Sequence, residues 1–242
     1  MTLSERQRLA LEQYEELMSG HPELFTGRLR RPIVRDRRTL DSYAADHGVV
    51  LGVVAETPYL WMINDLVESR RDAGMPTVHP YLRIIAPPHA IESQGVVILA
   101  TIWTPETAPE ESIVLVEQER HSTGRLELEL PRGFGDPATS PNLHALIELR
   151  QETGYIGQHA VRLGTTLTDS GTTDGTVSFF HVPVTGREDA TPESHEAIAR
   201  VMAIPGSELW RRIETGAVRD AFTVQALALY ERHLASGEVA QP

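Results

Sequence analysis

The absence of cysteine removes several kinds of chemistry at once. Disulfide bonds, thiol nucleophiles and thiolate metal sites are all excluded. The sequence also lacks any apolar run close to the ~20 residues that a membrane-spanning helix needs. Its N-terminus is polar and charged, which is unlike a signal peptide. We therefore expect a cytoplasmic protein that does not act in a membrane.

Positive charge is scarce as well. The chain has 22 lysines and arginines against 34 aspartates and glutamates, which gives a net charge of −12. This balance argues against a general role in binding nucleic acid or membrane surfaces. The sequence contains no GxGxxG motif, no P-loop and no internal repeat, and its ten histidines show no metal-ligand spacing. A protein of this charge that binds an anionic substrate must concentrate its cations at one place.

The residues that carry chemistry lie between positions 130 and 155, where a Gly-rich turn comes before a predicted helix. Ser140 can cap this helix and Gly154 can end it. Glu148 and Glu152 are four residues apart, so they share one face of the helix. A divalent cation between the two carboxylates would offset their repulsion, and carboxylates suit Mg²⁺ or Mn²⁺. A solvated acidic helix face has the same spacing, so the spacing alone leaves both interpretations open.

The order of residues in this stretch resembles the Nudix box, GX5EX7REUXEEXGU, in which U is aliphatic. Segments 128–133 and 220–223 resemble the ADP-ribose pyrophosphatase branch of that family, and the resemblance extends over residues 90 to 236. The positions that match the box are Gly133, Glu148, Leu149, Glu152, Gly154 and Tyr155.

Three positions depart from the box. Thr139 stands where the family has its first glutamate, Ile147 where it has arginine, and Gln151 where it has the first glutamate of the E-E pair. The intact spacing indicates a hydrolase. The departures favour an alternative, a catalytically weakened nucleotide-binding or regulatory module that keeps the pocket.

The resemblance implies an α/β (α+β) Nudix fold, in which a mixed β-sheet is sandwiched between α-helices over residues 81–242. Residues 1–80 are predicted to be an N-terminal extension with a helix, an arginine-rich segment at 28–38 and a β-hairpin. The arginines form either a phosphate or partner site or a solvated, salt-bridged linker. Because the extension offers little with which to close its own core, we expect it to contribute to a homodimer.

The activity that the resemblance implies is Mg²⁺- or Mn²⁺-dependent hydrolysis of a nucleoside diphosphate linked to another moiety, typically ADP-ribose or a sugar nucleotide. The cation would be held by Glu148, Glu152 and the carbonyl of Arg132. In the family, a loop before the last strand supplies a general base. Glu193 and Glu196 are the candidates, and Glu196 is preferred. Both also fit a solvated acidic loop.

Three residues are expected to contact substrate: Arg120, Arg132 and Glu129. Arg120 matches a family arginine that contacts phosphate, and its guanidinium fork suits that ligand. A surface arginine at a strand end is the alternative. Glu129 lies in the alternating run 126–130 and either supports the metal site or faces solvent. Leaving-group contacts in the family come from variable loops and often from a second subunit, so the sequence does not name the substrate.

Overall fold

The computed structural model describes residues 2–26, 32–69, 77–87, 95–103, 110–134, 138–192 and 196–237. The chain divides into two compact units. Unit 1 comprises Met1–Glu92 and Leu167–Gly175, and unit 2 comprises Ser93–Thr166 and Thr176–Pro242. The boundary expected near residue 80 differs from this division, because the strand Thr77–Ile85 runs through that position as part of unit 1.

Unit 1 begins with a helix whose start is set by a capping box. The Ser4 side chain accepts the Gln7 amide, and the Gln7 side chain accepts the Ser4 amide. This satisfies two amides that a helix start would otherwise leave unpaired. The elements of unit 1 are α1 (Glu5–Gly20), a 3₁₀ turn (Pro22–Phe25), α2 (Arg37–His47), β1 (Gly52–Glu56), β2 (Trp61–Ser69) and β3 (Thr77–Ile85).

Unit 1 closes a hydrophobic core of its own, although residues 1–80 were expected to offer little with which to do so. Strands β1, β2 and β3 form an antiparallel sheet in that order. Helices α1 and α2 contribute apolar side chains to the same core. The homodimer stays a prediction, now without that argument for it. The largest fully buried members of the core are Leu11, Tyr14, Leu40, Leu51, Ile63 and Leu66.

A buried ion pair crosses the sheet of unit 1. Arg83 on β3 donates from Nε to Asp65 Oδ2 on β2 at 2.5 Å, with both side chains almost fully buried. The Tyr14 hydroxyl donates to the same carboxylate, and the guanidinium lies over the Phe25 ring. Because each partner satisfies the other's charge, the pair is compatible with an apolar surrounding.

Part of unit 1 comes from far along the chain. The Ile84 amide donates to the Thr172 carbonyl at 2.7 Å, and the Tyr81 hydroxyl donates to the Gly171 carbonyl at 2.7 Å. The segment Leu167–Gly175 therefore extends the β3 edge of unit 1.

Two described arginines of the arginine-rich segment, Arg35 and Arg37, are engaged within unit 1. Arg37 pairs with Glu15 and Asp41 at 2.7 Å each, and Arg35 donates to the Phe25 carbonyl at 2.6 Å. These contacts agree with the salt-bridged interpretation of the segment. Three further members lie outside the described residues: Arg28, Arg30 and Arg31.

Unit 2 is built on a mixed sheet. Its main strand order is β11-β5-β4-β10-β8, with β6 beside β5, β7 beside β4 and β9 beside β10. The β4–β10 pair is parallel, whereas β5 pairs antiparallel with β11 and β6. The elements are β4 (Gly95–Ile102), β5 (Ser112–Arg120), β6 (Arg125–Glu129), β7 (Arg132–Phe134), α3 (Pro141–Thr153), β8 (Tyr155–Gly157), β9 (Val161–Leu167), β10 (Thr176–Arg187), β11 (Ile198–Pro205), α4 (Gly206–Glu214) and α5 (Ala221–Ser236).

The sheet of unit 2 buries both faces. Val97 and Leu99 of β4 point into a core shared with α4 and α5. Val96 and Ile98 alternate with them and point into a second core shared with α3. This side-chain alternation explains why β4 is apolar throughout. The predicted sheet between helices is present.

No helix in the described part of the chain is long and apolar enough to cross a membrane.

We expect Arg83→Met to destabilise unit 1 strongly, because it leaves Asp65 buried without its cationic partner. Breaking such a pair costs roughly 3–5 kcal/mol. Urea unfolding followed by circular dichroism measures the loss. The matched control is Arg37→Met, which removes a pair near the surface and should change stability by roughly 0–1 kcal/mol. Equal losses in the two variants would contradict the assignment of the Asp65 pair as structural.

Candidate active site

Helix α3 packs against the sheet of unit 2 and carries two of the carboxylates. Its start is capped by Ser140, whose hydroxyl accepts the Leu143 amide at 3.4 Å, and it ends at Gly154 with φ 73°. Both predicted ends are confirmed. Buried Ala145 and Leu149 fix the helix against the sheet. That orientation places Glu148 and Glu152 on one face, as their spacing predicts.

A third carboxylate joins this pair. One oxygen from each of Glu148, Glu152 and Glu196 lies within 4.8 Å of the others, with Glu152 buried and the other two partly buried. The structure thus brings the preferred base candidate, Glu196, into the same cluster as the two helix glutamates. Glu193 lies outside the described residues.

The leading glycine of the box is required by close contact with Glu148. A Cβ added to Gly133 would lie 2.2 Å from Glu148 Cδ and Oε1 and 2.6 Å from Oε2. Any side chain here would therefore displace the carboxylate. Strand β7, which pairs with β4 through Gly133 and Val96, holds this backbone in place.

Burial and repulsion together change the acidity of the cluster. Glu152 loses most of its contact with water and faces Glu196 and Glu148, which raises its pKa to about 8. The Arg132 amide donates to its Oε2 at 3.1 Å and works in the opposite direction, as does the nearby charge of Arg120. Three oxygen ligands in a site that disfavours their negative charge are chemically suited to a hard divalent cation.

An ion network lies beside the carboxylate cluster. Arg120 Nε donates to Glu129 Oε1 at 2.7 Å, and Arg132 Nη2 donates to Glu129 Oε2 at 2.9 Å. Arg132 Nη1 reaches Asp220 Oδ1 at 3.0 Å, and its guanidinium lies 5.1 Å from the centre of the Phe222 ring. Both cations are held in fixed positions by this arrangement.

Burial along this strand does not follow the alternating sequence of residues 126–130, since Leu126 is exposed and both Leu128 and Glu129 are buried. Glu129 is 1% exposed, so it does not face solvent. Its carboxylate accepts from two guanidinium groups and so holds Arg120 and Arg132 in place. Its expected contact with substrate stays a prediction.

One neighbour of the site was missed from sequence. His144 Nε2 lies 2.9 Å from Glu148 Oε1, although the histidines showed no obvious ligand spacing. The available signal was its position four residues before Glu148 on the same helix.

Two of the departures from the box are described by their surroundings. Ile147 is 37% exposed, and Gln151 is partly buried, with its backbone carbonyl accepting the Thr191 amide at 2.9 Å.

Curated pyrophosphatases and a putative Nudix hydrolase are similar to this chain, while no family model matches it. The chain is 31% identical over 126 residues to ADP-sugar pyrophosphatase of Mus musculus, covering 50% of this chain and 57% of the relative. It is 39% identical over 75 residues to putative nudix hydrolase 2 of Caenorhabditis elegans, covering 31% and 34%. It is 27% identical over 119 residues to ADP-ribose pyrophosphatase of Bacillus subtilis (strain 168), covering 49% and 64%. The match therefore spans less than two thirds of each relative.

A solved structure of an ADP compounds hydrolase superposes with a TM-score of 0.60, over 77% of this chain and 93% of that one. The identity is 19%, so this likeness establishes the fold alone. The fold is the α/β Nudix fold that the box predicted. Within that fold, the resemblance to the ADP-sugar and ADP-ribose pyrophosphatases is confirmed by the curated relatives.

We expect Gly133→Ala to weaken binding of Mn²⁺ while the protein stays folded. The added methyl group would displace the Glu148 carboxylate, which is the flexible end of a side chain and is able to move. Calorimetric titration measures the loss. Gly186→Ala is the control, because its Cβ would make ordinary contacts at 3.9 Å with Ile156. Unchanged Mn²⁺ affinity in the Gly133 variant would remove Glu148 from the cation site.

We expect the metal-free protein to lose stability as pH rises between about 5 and 8, through Glu152. The folded state keeps the Glu152 proton up to a pKa of about 8, whereas the ordinary value is 4.5. Unfolding therefore releases a proton in this window, so rising pH favours the unfolded chain. In EDTA, Glu152→Gln should be more stable than wild type at pH 8 and lose that advantage toward pH 5.

Urea unfolding at several pH values measures this difference, with the exposed Glu214→Gln as the matched control. With saturating Mn²⁺ at pH 8, the wild type should become more stable than Glu152→Gln, because only the wild type keeps all the carboxylates that bind the cation. Parallel pH curves for wild type and Glu152→Gln would contradict the raised pKa.

Proposed function

We propose that unit 2 hydrolyses the pyrophosphate bond of a nucleoside diphosphate linked to a sugar, with ADP-ribose or an ADP-sugar as substrate. The observation that carries this proposal is the convergence of Glu148, Glu152 and Glu196 within 4.8 Å. The names of the relatives, an ADP-sugar pyrophosphatase and an ADP-ribose pyrophosphatase, support the substrate class.

The proposed cofactor is Mg²⁺ or Mn²⁺. Glu148 and Glu152 would hold it, with the carbonyl of Arg132 as a further ligand suggested by the family resemblance, and Glu196 would lie beside the cation. When bound, it would neutralise charge on the pyrophosphate and polarise its phosphorus–oxygen bonds. The carboxylate-only side chains of the cluster fit a hard cation better than zinc.

The chain's own residues supply positioning and proton transfer. Arg120 is the proposed phosphate contact, because its guanidinium is held by Glu129 and is close enough to lower the pKa of Glu152. Glu196 is the proposed base, taking a proton from water as the water oxygen attacks phosphorus. The bridging P–O bond breaks as the new P–O bond forms. With ADP-ribose, the products are AMP and ribose 5-phosphate.

The departures from the box favour a second candidate, a module that binds the nucleotide without rapid turnover. Ile147 supplies no charge where the family has arginine, and Gln151 offers no carboxylate. Glu196 provides a third carboxylate despite Gln151, which is why the enzyme is our conclusion. That the protein forms a homodimer is a further part of the proposal.

The decisive experiment measures AMP release from ADP-ribose and a panel of ADP-sugars, with Mg²⁺ or Mn²⁺ and with EDTA. We expect cation-dependent release by the wild type. Glu148→Gln should lower the rate by about 100-fold or more, as removing a group that stabilises transition-state charge does. The exposed carboxylate variant Glu214→Gln should match wild type.

Nucleotide binding measured on the same samples separates the two candidates. Tight binding of ADP-ribose without cation-dependent AMP release would favour the binding module. Neither binding nor release across the panel would overturn both.

A further inference from the structure

The connection between β6 and β7 supplies a hydrogen-bond donor to the carboxylate cluster. The Arg132 amide, at the start of β7, donates to Glu152 Oε2 at 3.1 Å. Just before it, the Leu130 amide donates to the Thr223 hydroxyl in the first turn of α5 at 3.0 Å. Because the two donors are almost adjacent in the chain, the direction of the Arg132 amide depends on how firmly this connection is fastened.

Asp220 makes two separate contacts with its two carboxylate oxygens. Its Oδ2 accepts the Thr223 amide and the Thr223 hydroxyl at 2.8 Å each, which caps the start of α5. Its Oδ1 accepts Nη1 of Arg132 at 3.0 Å. The Asp220 side chain is 14% exposed, so little water competes with this ion pair. One carboxylate therefore joins a helix start to the residue whose amide contacts Glu152.

Two carboxylates hold the Arg132 guanidinium, and they differ in what they fix. Glu129 lies three residues before Arg132, so this pair joins neighbours within one short segment. Asp220 lies 88 residues further along the chain, at the start of a helix that buries Ala226 and Leu227 in the core. A side chain held at its tip limits the movement of its own backbone. The pair with Asp220 is therefore the contact through which this arginine fastens β7 to α5.

We propose that Asp220 is a positioning residue, which acts through Arg132 to keep the Arg132 amide directed at Glu152. The inference rests on the proposed function for the presence of a cation, and on the hydrogen bonds alone for the geometry. Loss of the Asp220 charge should loosen the Arg132 amide and weaken cation binding. The effect on cation binding should disappear when residue 132 has no guanidinium for Asp220 to hold.

A readout without metal tests the geometry directly. Asp220→Asn keeps the helix cap, because asparagine caps helices as well as aspartate does, but it offers no negative charge to Arg132. In EDTA, hydrogen exchange followed by NMR should show the Arg132 amide exchanging about 10-fold faster or more, as loss of a hydrogen bond to a charged group predicts. The Leu130 amide is the internal control and should keep its wild-type rate, because Thr223 still accepts it.

A double-mutant cycle tests whether Asp220 acts through Arg132. Mutation of an outer partner typically costs 10- to 100-fold in metal affinity, so Asp220→Asn should raise the Mn²⁺ dissociation constant by about 10-fold. Added to Arg132→Met, the same change should have little further effect. Titration of the electron paramagnetic resonance signal of free Mn²⁺ measures all four proteins, and circular dichroism checks that they are folded. The exposed Glu214→Gln is the charge control and should bind Mn²⁺ as wild type does.

The two measurements separate failure of the inference from failure of the proposed function. A wild type that binds no Mn²⁺ would remove the proposed cation site, yet hydrogen exchange would still decide whether Asp220 holds the Arg132 amide. An unchanged Arg132 amide in Asp220→Asn would overturn the inference, and so would equal acceleration of the Leu130 amide, which would indicate general loosening. An equal loss of Mn²⁺ affinity with and without the arginine would also overturn it, because the Asp220 charge would then act directly on the cation.

Discussion

Repulsion among three carboxylates is the physical constraint on which the site depends. Glu148, Glu152 and Glu196 carry like charges at short distance, in a place where burial already disfavours the ionised form. The fold stabilises this arrangement with local contacts: the Arg132 amide on Glu152, the Gly133 backbone against Glu148, and two arginines held beside them. Because these carboxylates repel one another, the site is most stable when a cation is bound.

Local signals were sufficient to predict the helix that carries the site. Ser140 and Gly154 act on backbone groups within one turn, so the ends of α3 are readable from neighbours in sequence. The spacing of Glu148 and Glu152 gives their shared face for the same reason. The mixed sheet was predictable through the family resemblance rather than through strand patterns, since burial does not follow the alternating sequence of residues 126–130.

The remaining features depend on tertiary contacts that have no local pattern. Glu196 reaches the cluster from a loop far along the chain. The residues next to it in sequence therefore do not indicate that it lies beside Glu148 and Glu152. Glu129 is buried because two arginines neutralise it, which overrides the usual preference of glutamate for the surface. His144 had a readable spacing, but without the carboxylates in view it resembled any other histidine.

Because Leu167–Gly175 belongs to unit 1, the protein cannot be divided into its two units by a single cut in the chain. Unit 1 is not a continuous stretch of sequence, because the acceptor of the Ile84 amide is Thr172, after much of unit 2 has been made. A fragment that stops at Glu92 would retain the apolar core but lose this edge pairing. Gene fusion, truncation and domain exchange at a single cut point therefore always divide one unit, and on the ribosome unit 1 is completed only after β9 has emerged.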